Sequence, residues 1–174
     1  MDEEMINMLR SRQEEGMALL RTNYGGLIRY IAGGILQSPE DTEECVSDIC
    51  MLVWEKIGSY SAERGSVSAW LTALSRNAAI NFLKRRRPHE ELFDDYKGAD
   101  SPEYELLRKE QAQRLKDVIN LLDTRQRNLF FRKYYYLQST ARIAAELGTT
   151  ERAVEGRLYR LRKKLQKALG GDLS

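Results

Sequence analysis

The chain is poor in the residues that build metal sites and disulfide frameworks. Its 174 residues include one histidine, two cysteines and three prolines. The cysteines, Cys45 and Cys50, lie five positions apart in one predicted helix, which disfavours a disulfide between them. A single histidine without a cysteine–histidine cluster disfavours zinc. We therefore expect no metal, no cofactor and a reduced, cytoplasmic location.

Two further patterns are missing. No apolar run approaches the length of a membrane span, and no charged-then-apolar signal segment opens the sequence. Long alternating runs of β-branched residues are absent, while Leu, Arg, Glu and Ala dominate. We therefore predict an all-α protein with no membrane segment of its own. Its 174 residues suffice for one ordinary domain or two small ones, and its 42% hydrophobic residues permit a packed core.

Charge is distributed unevenly along the chain. From Tyr104 onward there are 16 Lys and Arg against 8 Asp and Glu, about +8. The chain totals are 28 and 26, so the residues before Tyr104 hold 12 basic and 18 acidic side chains, about −6. This asymmetry predicts two domains with different partners.

The most informative stretch is residues 140–169. Ile143 and Leu147 are four residues apart, as on one face of a short helix. Gly148 can adopt the left-handed backbone conformation that commonly ends a helix. Thr150 is suited to cap a second helix, whose apolar positions are Val154, Leu158, Leu161 and Leu165. The basic residues off this stripe are Arg157, Arg160, Lys164 and Lys167. The pattern predicts a DNA-binding helix-turn-helix; the alternative is a solvated helical hairpin.

Helical periodicity predicts six earlier helices, over residues 2–21, 24–37, 39–58, 67–87, 104–122 and 124–135. The residues from His89 to Pro102 are polar, acidic and rich in helix breakers, which favours a flexible linker. We therefore divide the chain into two small helical domains, residues 1–88 and 104–170, joined by a linker at residues 89–103.

Two charged clusters stand out in the first domain. The third predicted helix carries Asp41, Glu44, Asp48 and Glu55 on one face, with no interleaved basic residue. A solvated face and a docking surface for a basic partner are equally compatible with this stripe. Paired metal-binding carboxylates are a weaker third possibility, because no nucleophile or base accompanies them. The basic run from Lys84 to Arg87 exceeds what helix capping requires and favours contact with nucleic-acid phosphates.

Four motifs occur in order: DTEE at 41–44 with WEKI at 54–57; GSVSAWL at 65–71 with RN at 76–77 and RRR at 85–87; LDTRQR at 122–127; and IA at 143–144 with LG at 147–148 and RLYRLR at 157–162. In this order they resemble the extracytoplasmic-function (ECF) group of bacterial RNA polymerase sigma factors. The resemblance covers nearly the whole chain.

The resemblance implies a non-enzymatic protein without catalytic residues. Its first domain (sigma-2, residues 1–88) would bind core RNA polymerase and recognise and melt the −10 promoter element. Its second domain (sigma-4, residues 104–170) would read the −35 element through the helix-turn-helix. The implied partners are the β′ clamp helices and β flap of core polymerase, promoter DNA and an anti-sigma factor.

The resemblance also implies site residues. Those for core polymerase are Asp41, Glu44, Asp48 and Glu55. Those for the −10 element are Val67, Arg76, Asn77, Asn81, Lys84 and Arg85. Those for the −35 element are Arg152, Glu155, Gly156, Arg157, Tyr159, Arg160, Lys163 and Lys164. Four residues depart from the family pattern, namely Val67, Asn81, Arg142 and Glu155.

Three other functional classes remain open. A stand-alone helix-turn-helix repressor or activator would bind duplex DNA tightly without polymerase. A helical scaffold would show no salt-dependent affinity for nucleic acid. A metal-dependent enzyme would use the acidic stripe, although the sequence supplies no catalytic constellation beside it.

Overall fold

The chain divides into two helical units, Met1–Leu92 and Phe93–Ser174. This computed structural model describes residues 2–86 and 102–170, with side chains for all of these except residues 102–108. Neither of the described ranges contains a β-strand, in agreement with the predicted all-α fold. Most of the predicted linker, residues 89–103, lies outside the described residues.

Over residues 2–86 the first unit forms four α-helices: α1 (Asp2–Arg10), α2 (Glu14–Leu36), α3 (Pro39–Lys56) and α4 (Val67–Arg86). Two short 3-10 turns, Ile57–Ser59 and Ala62–Arg64, connect α3 to α4. Helix α2 packs against each of the other three helices and forms the centre of the unit. Its side chains Leu20, Ile28 and Ile31 are at most 2% exposed.

The prediction of one helix over residues 2–21 was wrong, because the chain turns back after Arg10. Arg12 adopts a left-handed backbone conformation (φ 59°) in this turn. Its guanidinium donates to the carbonyl of Trp54 and lies 5.6 Å from the centre of that ring. The turn is therefore fixed by a contact with α3 that the local sequence does not reveal.

The predicted boundary between residues 21 and 24 was also wrong. Helix α2 continues through Gly25 and Gly26 without interruption. Glycine lowers helix stability by about 0.5–1 kcal/mol per residue relative to alanine. Burial of the apolar side chains that follow, Ile28 and Ile31, outweighs this cost.

The second unit contains α5 (Pro102–Asn120), α6 (Thr124–Phe130), α7 (Thr140–Glu146) and α8 (Glu151–Ala168). The predicted helix over 124–135 is α-helical only to Phe130, and Phe131–Tyr135 forms a π-helical turn. Among the side chains described in this unit, the buried core consists of Leu122, Leu129, Ile143, Ala144, Val154, Leu158, Leu161 and Leu165. The apolar stripe predicted for α8 is thus its buried face.

Side-chain caps fix the starts of five helices. In each, a side-chain oxygen accepts a hydrogen bond from the backbone N–H three residues later, at 2.8–3.3 Å; the capping residues are Ser38, Ser66, Asp123, Ser139 and Thr150. Such a cap contributes about 1 kcal/mol to helix stability. The predicted cap at Thr150 is confirmed, and Asp123 caps α6.

Replacement of Gly16 is expected to destabilise the first unit. An added Cβ would lie 2.8 Å from the backbone nitrogen of Leu9 and 3.0 Å from Cβ of Met8, so α1 would have to move. We expect Gly16→Ala to lower the free energy of unfolding by about 1–3 kcal/mol, measured by urea denaturation. Gly26→Ala is the matched control in α2, because nothing lies within 4 Å of its Cβ. It should raise stability by about 0.5–1 kcal/mol. Equal effects of the two changes would contradict the close packing.

Cys45 is expected to be an inert thiol. Its side chain is 1% exposed, and burial, reinforced by the charge of Asp48, raises its pKa from 9.0 to about 12. Above pH 9 the unfolded chain loses this proton while the folded chain keeps it, so the free energy of unfolding should fall as pH rises.

As pH rises above 9.0, the wild type should therefore lose more stability than Cys45→Ala, because Tyr24 is present in both proteins and its titration cancels in the comparison. Alkylation of Cys45 should also be slow until the chain unfolds. Equal alkylation rates before and after unfolding would contradict its burial.

Candidate nucleic-acid and partner interfaces

The acidic face of α3 is accessible. The side chains of Asp41, Glu44 and Asp48 have exposed fractions of 34%, 56% and 51%, and Glu55 is exposed as well. Met51, which is 57% exposed, lies three residues after Asp48 and four before Glu55, on the same face. The face therefore combines an apolar centre with a rim of carboxylates, an arrangement found at docking surfaces.

Two arginines at the end of α4 pair with this acidic face. Nη2 of Arg86 lies 2.5 Å from Oε2 of Glu44 and 3.7 Å from Oδ1 of Asp41. Nη2 of Arg85 lies 3.7 Å from Oδ2 of Asp48. The structure thus brings together the carboxylates predicted to contact polymerase and an arginine predicted to contact DNA. No local sequence signal indicates this contact, because 42 residues separate Arg86 from Glu44.

The ring of Phe82 supports both guanidinium groups. Cζ of Arg85 and Cζ of Arg86 lie 5.6 and 5.3 Å from the ring centre. A cation–π contact at this distance contributes about 0.5–1 kcal/mol at an exposed site. Phe82 is itself 3% exposed, so the core of the unit fixes the surface on which the two arginines rest.

A neighbouring carboxylate is held by a different partner. Nε and Nη2 of Arg29 lie 2.7 and 3.0 Å from the two carboxylate oxygens of Glu43. The hydrogen bond from Arg29 holds the pKa of Glu43 below its usual value, and the same bond raises the pKa of Arg29. Glu43 therefore links α2 to α3 and is separate from the acidic face.

A groove of about 450 Å³ runs between α3 and α4. Its lining consists of Cys45, Asp48, Met51, Leu52, Glu55, Ala78, Asn81 and Arg85. It joins the acidic face to two residues predicted to contact the −10 element, Asn81 and Arg85. The two predicted interfaces of the first unit are therefore adjacent.

The residues of α4 that were predicted to contact the −10 element differ in exposure. Asn77 and Asn81 are exposed, while Arg76 is half-buried and donates from Nη1 to Oδ1 of Asn77 at 3.2 Å. Lys84 is also half-buried. Val67, by contrast, is 5% exposed and packs in the core at the start of the helix. Its burial does not agree with a side-chain contact to a base.

The loop before α4 is held by a residue that the sequence analysis did not identify. The hydroxyl of Tyr60 donates to the carbonyl of Gly65 at 3.2 Å, and its ring centre lies 5.6 Å from that of Trp70. Arg10 donates to the carbonyl of Tyr60 at 2.8 Å. Gly65 has φ 146°, a conformation that favours glycine. The loop is thus preorganised by contacts with α1 and α4.

The second unit contains the predicted helix-turn-helix. Gly148 has φ +62° and follows α7, while the hydroxyl of Thr150 caps α8. Ile143 of α7 and Val154 of α8 are fully buried. The turn chemistry and the shared core therefore agree with the prediction from the sequence.

The predicted −35 residues mostly face outward on α8. Those with exposed side chains are Arg152, Glu155, Arg157, Tyr159, Arg160, Lys163 and Lys164. Tyr159 is 57% exposed, and Nζ of Lys163 lies 5.7 Å from its ring centre. Lys164 donates to Oε1 of Gln126 at 2.8 Å, so it also ties α8 to α6. Gly156 lies on the same outward surface and is half-buried.

A polar network that the sequence analysis missed connects α6 and α7. Arg132, in the π-helical turn, donates to Oδ1 of Asn128 at 2.7 Å and to Oε1 of Gln138 at 3.2 Å. It also forms an ion pair with Glu146, which accepts a second hydrogen bond from Nε of Arg142 at 2.8 Å. Gln138 is 1% exposed. The network fixes the first helix of the helix-turn-helix from both ends.

An apolar groove of about 300 Å³ lies on the same unit. Its lining consists of Leu115, Phe130, Tyr134, Arg162, Leu165, Gln166 and Leu169. Phe130 and Tyr134 pack with ring centres 5.2 Å apart, and both adjoin the buried core. The groove is thus a partly exposed continuation of that core.

Within residues 2–86 and 102–170, no three His, Cys, Asp or Glu side chains converge as metal ligands would. Over these ranges, none of the helices combines the length and the apolar character needed to cross a bilayer.

Comparison with known proteins identifies the family. The family models for Sigma-70 region 2 and Sigma-70, region 4 match residues 20–89 and 112–165. The ECF RNA polymerase sigma factor RpoE of Cereibacter sphaeroides is 33% identical over 131 residues, 70% of this chain and 70% of that protein. The ECF RNA polymerase sigma factor SigK of Mycobacterium sp. strain KMS is 24% identical over 162 residues, 87% of this chain and 84% of that protein. The solved structure of CnrH in complex with the cytosolic domain of CnrY covers 98% of both chains, with 23% identity and a TM-score of 0.46.

The matches to both sigma-70 regions disfavour the stand-alone regulator, because that class requires only the helix-turn-helix. They also disfavour the scaffold and the metal-dependent enzyme, since sigma factors are non-catalytic transcription initiation factors. The chain belongs to the ECF group of the sigma-70 family, the factors that bind core RNA polymerase and direct it to specific promoters.

Proposed function

We propose that the acidic face of α3 is the surface that docks on the β′ clamp helices of core polymerase. Asp41, Glu44, Asp48 and Glu55 supply negative charge, and Met51 supplies an apolar centre. A basic helical partner matches this surface in charge, and charge complementarity fixes register and raises the association rate. The observation that carries the proposal is the outward orientation of these carboxylates, which follows from the buried stripe of α3.

For the −10 element, we assign the contacts to the outer side of α4. Asn77 and Asn81 offer amide groups to base edges, and Arg76 lies against Asn77. Lys84 and Arg85 lie closer to the C-terminal end of the helix and bind DNA backbone phosphates. We leave Val67 out of this set because its side chain is buried.

For the −35 element, we assign the contacts to the outer surface of α8. Arg152, Glu155, Tyr159 and Arg160 are exposed there and serve base edges or nearby backbone. Arg157, Lys163 and Lys164 serve phosphates, with Lys164 positioned by Gln126. Gly156 leaves the helix backbone uncovered between these side chains.

The remaining partners are assigned from the family and the surface chemistry. The apolar groove beside Phe130 and Tyr134 suits an apolar segment such as the β flap. An anti-sigma factor that covers these surfaces would hold the protein inactive. Because core polymerase and promoter DNA are cytoplasmic in bacteria, we assign the protein to the cytoplasm. We assign it no catalytic activity of its own.

Charge reversal on the acidic face is expected to weaken polymerase binding. In Asp48→Lys/Glu55→Lys, two cations replace two anions opposite a basic partner. We expect the affinity for core polymerase to fall at least about tenfold at physiological salt, measured by fluorescence titration. The control is Glu3→Lys/Glu4→Lys, which makes the same charge change on exposed positions of α1. An unchanged affinity of the α3 variant would exclude this docking surface.

Gly156→Ala separates helix stability from DNA contact. The added Cβ would lie 3.6 Å from Nη1 of Arg160, an ordinary contact, so nothing within the protein requires glycine. The variant should be about 0.5–1 kcal/mol more stable. If the DNA approaches the backbone here, transcription from a −35-dependent promoter should nevertheless fall about tenfold, equivalent to ~1.4 kcal/mol. The control, Gly26→Ala, should leave promoter use unchanged. Full activity of Gly156→Ala would remove Gly156 from the −35 interface.

A further inference from the structure

The two surfaces proposed for polymerase and for promoter phosphates neutralise each other in the free protein. The ion pairs of Arg86 with Glu44 and Asp41, and of Arg85 with Asp48, join α4 to α3. We call these pairs the α3–α4 contact. Its carboxylates belong to the docking face, and its arginines end the helix assigned to the −10 element.

These charges cannot serve two partners at once. A guanidinium paired with a carboxylate is partly neutralised, so it attracts a phosphate less strongly than a free guanidinium. In the same way, a carboxylate engaged by Arg86 is less available to a basic polymerase helix. Each partner must therefore compete with an interaction inside the chain.

We propose that the α3–α4 contact couples the two binding events, so that polymerase docking releases Arg85 and Arg86 for DNA phosphates. This inference rests on the proposed docking function of the α3 face. A basic partner that binds Asp41, Glu44 and Asp48 replaces the arginines. The guanidinium groups are then no longer neutralised by carboxylates and can bind DNA phosphates. Before docking, the same residues lower the affinity of the free chain for DNA.

The strength of the α3–α4 contact suits a reversible device. All five side chains are between 34% and 70% exposed. An exposed ion pair changes an equilibrium by up to about fivefold, so the two pairs of Arg86 together supply up to about 25-fold. This range is large enough to bias the order of binding and small enough for a basic partner to displace. Stacking on Phe82 keeps the arginines near the same place in either state.

The test measures DNA binding by the full chain without polymerase. The probe is a fluorescent single-stranded oligonucleotide at low salt, followed by anisotropy. Asp41→Asn/Glu44→Gln removes both carboxylate partners of Arg86 and leaves the pair of Arg85 with Asp48 in place. It should bind the probe about 3- to 20-fold more tightly than wild type. Its affinity should also fall more steeply with salt, because more phosphates are neutralised.

A matched control separates release of the arginines from a general change in net charge. Glu3→Gln/Glu4→Gln removes the same charge from α1 and should raise the affinity for the probe much less. Adding Asp41→Asn/Glu44→Gln to an Arg85→Gln/Arg86→Gln background should also give little gain. A gain no larger than the control's, or one that persists without the arginines, would overturn the proposal. Circular dichroism of each variant verifies that it is folded.

Thermodynamic coupling is reciprocal, which provides a second measurement. Arg85→Gln/Arg86→Gln should bind core polymerase more tightly than wild type, and the gain should vanish in the Asp41→Asn/Glu44→Gln background. No gain in polymerase affinity contradicts the coupling while leaving the docking surface intact. If the wild-type protein did not bind core polymerase at all, the proposed docking function itself would be contradicted.

Discussion

Burial of one apolar stripe per helix is the constraint on which both units depend. In α3 the buried positions include Ile49 and Val53, and in α8 they include Val154 and Leu158. A helix has only one rotation that buries such a stripe, so the stripe also determines which charged residues face outward. The packing of each helix therefore turns the carboxylates of α3 and the cations of α8 toward the surface.

Electrostatics then distinguishes the two units. The outward surface of α8 is largely basic, and its cations lie at positions where neighbouring anions are few, which suits a polyanionic duplex. In the first unit, anions of α3 and cations of α4 lie side by side. Because exposed ion pairs contribute little to stability, this juxtaposition is better explained by binding than by folding. A basic partner can replace the arginines beside the carboxylates of α3, and DNA phosphates can replace the carboxylates beside the arginines of α4.

The sequence predicts local features of this fold well and long-range ones poorly. The turn at Gly148 and the cap at Thr150 were predicted because each depends on the chemistry of one or two residues. The turn at Arg12 was missed, since no proline or glycine marks it and its stabilising contact is with a residue 42 positions away. The pairing of Arg86 with Glu44 was missed for the same reason: no periodicity reports which surfaces of two helices come together.

The most direct test of the central claim is transcription initiation in a defined system. Core RNA polymerase from the host bacterium would be incubated with genomic DNA fragments, with and without this protein, and the RNA 5′ ends mapped. We expect discrete start sites that require the protein, preceded by two shared sequence elements at a fixed spacing, one for each unit. RNA 5′ ends that are identical in the presence and absence of the protein would contradict promoter-directed initiation by this protein.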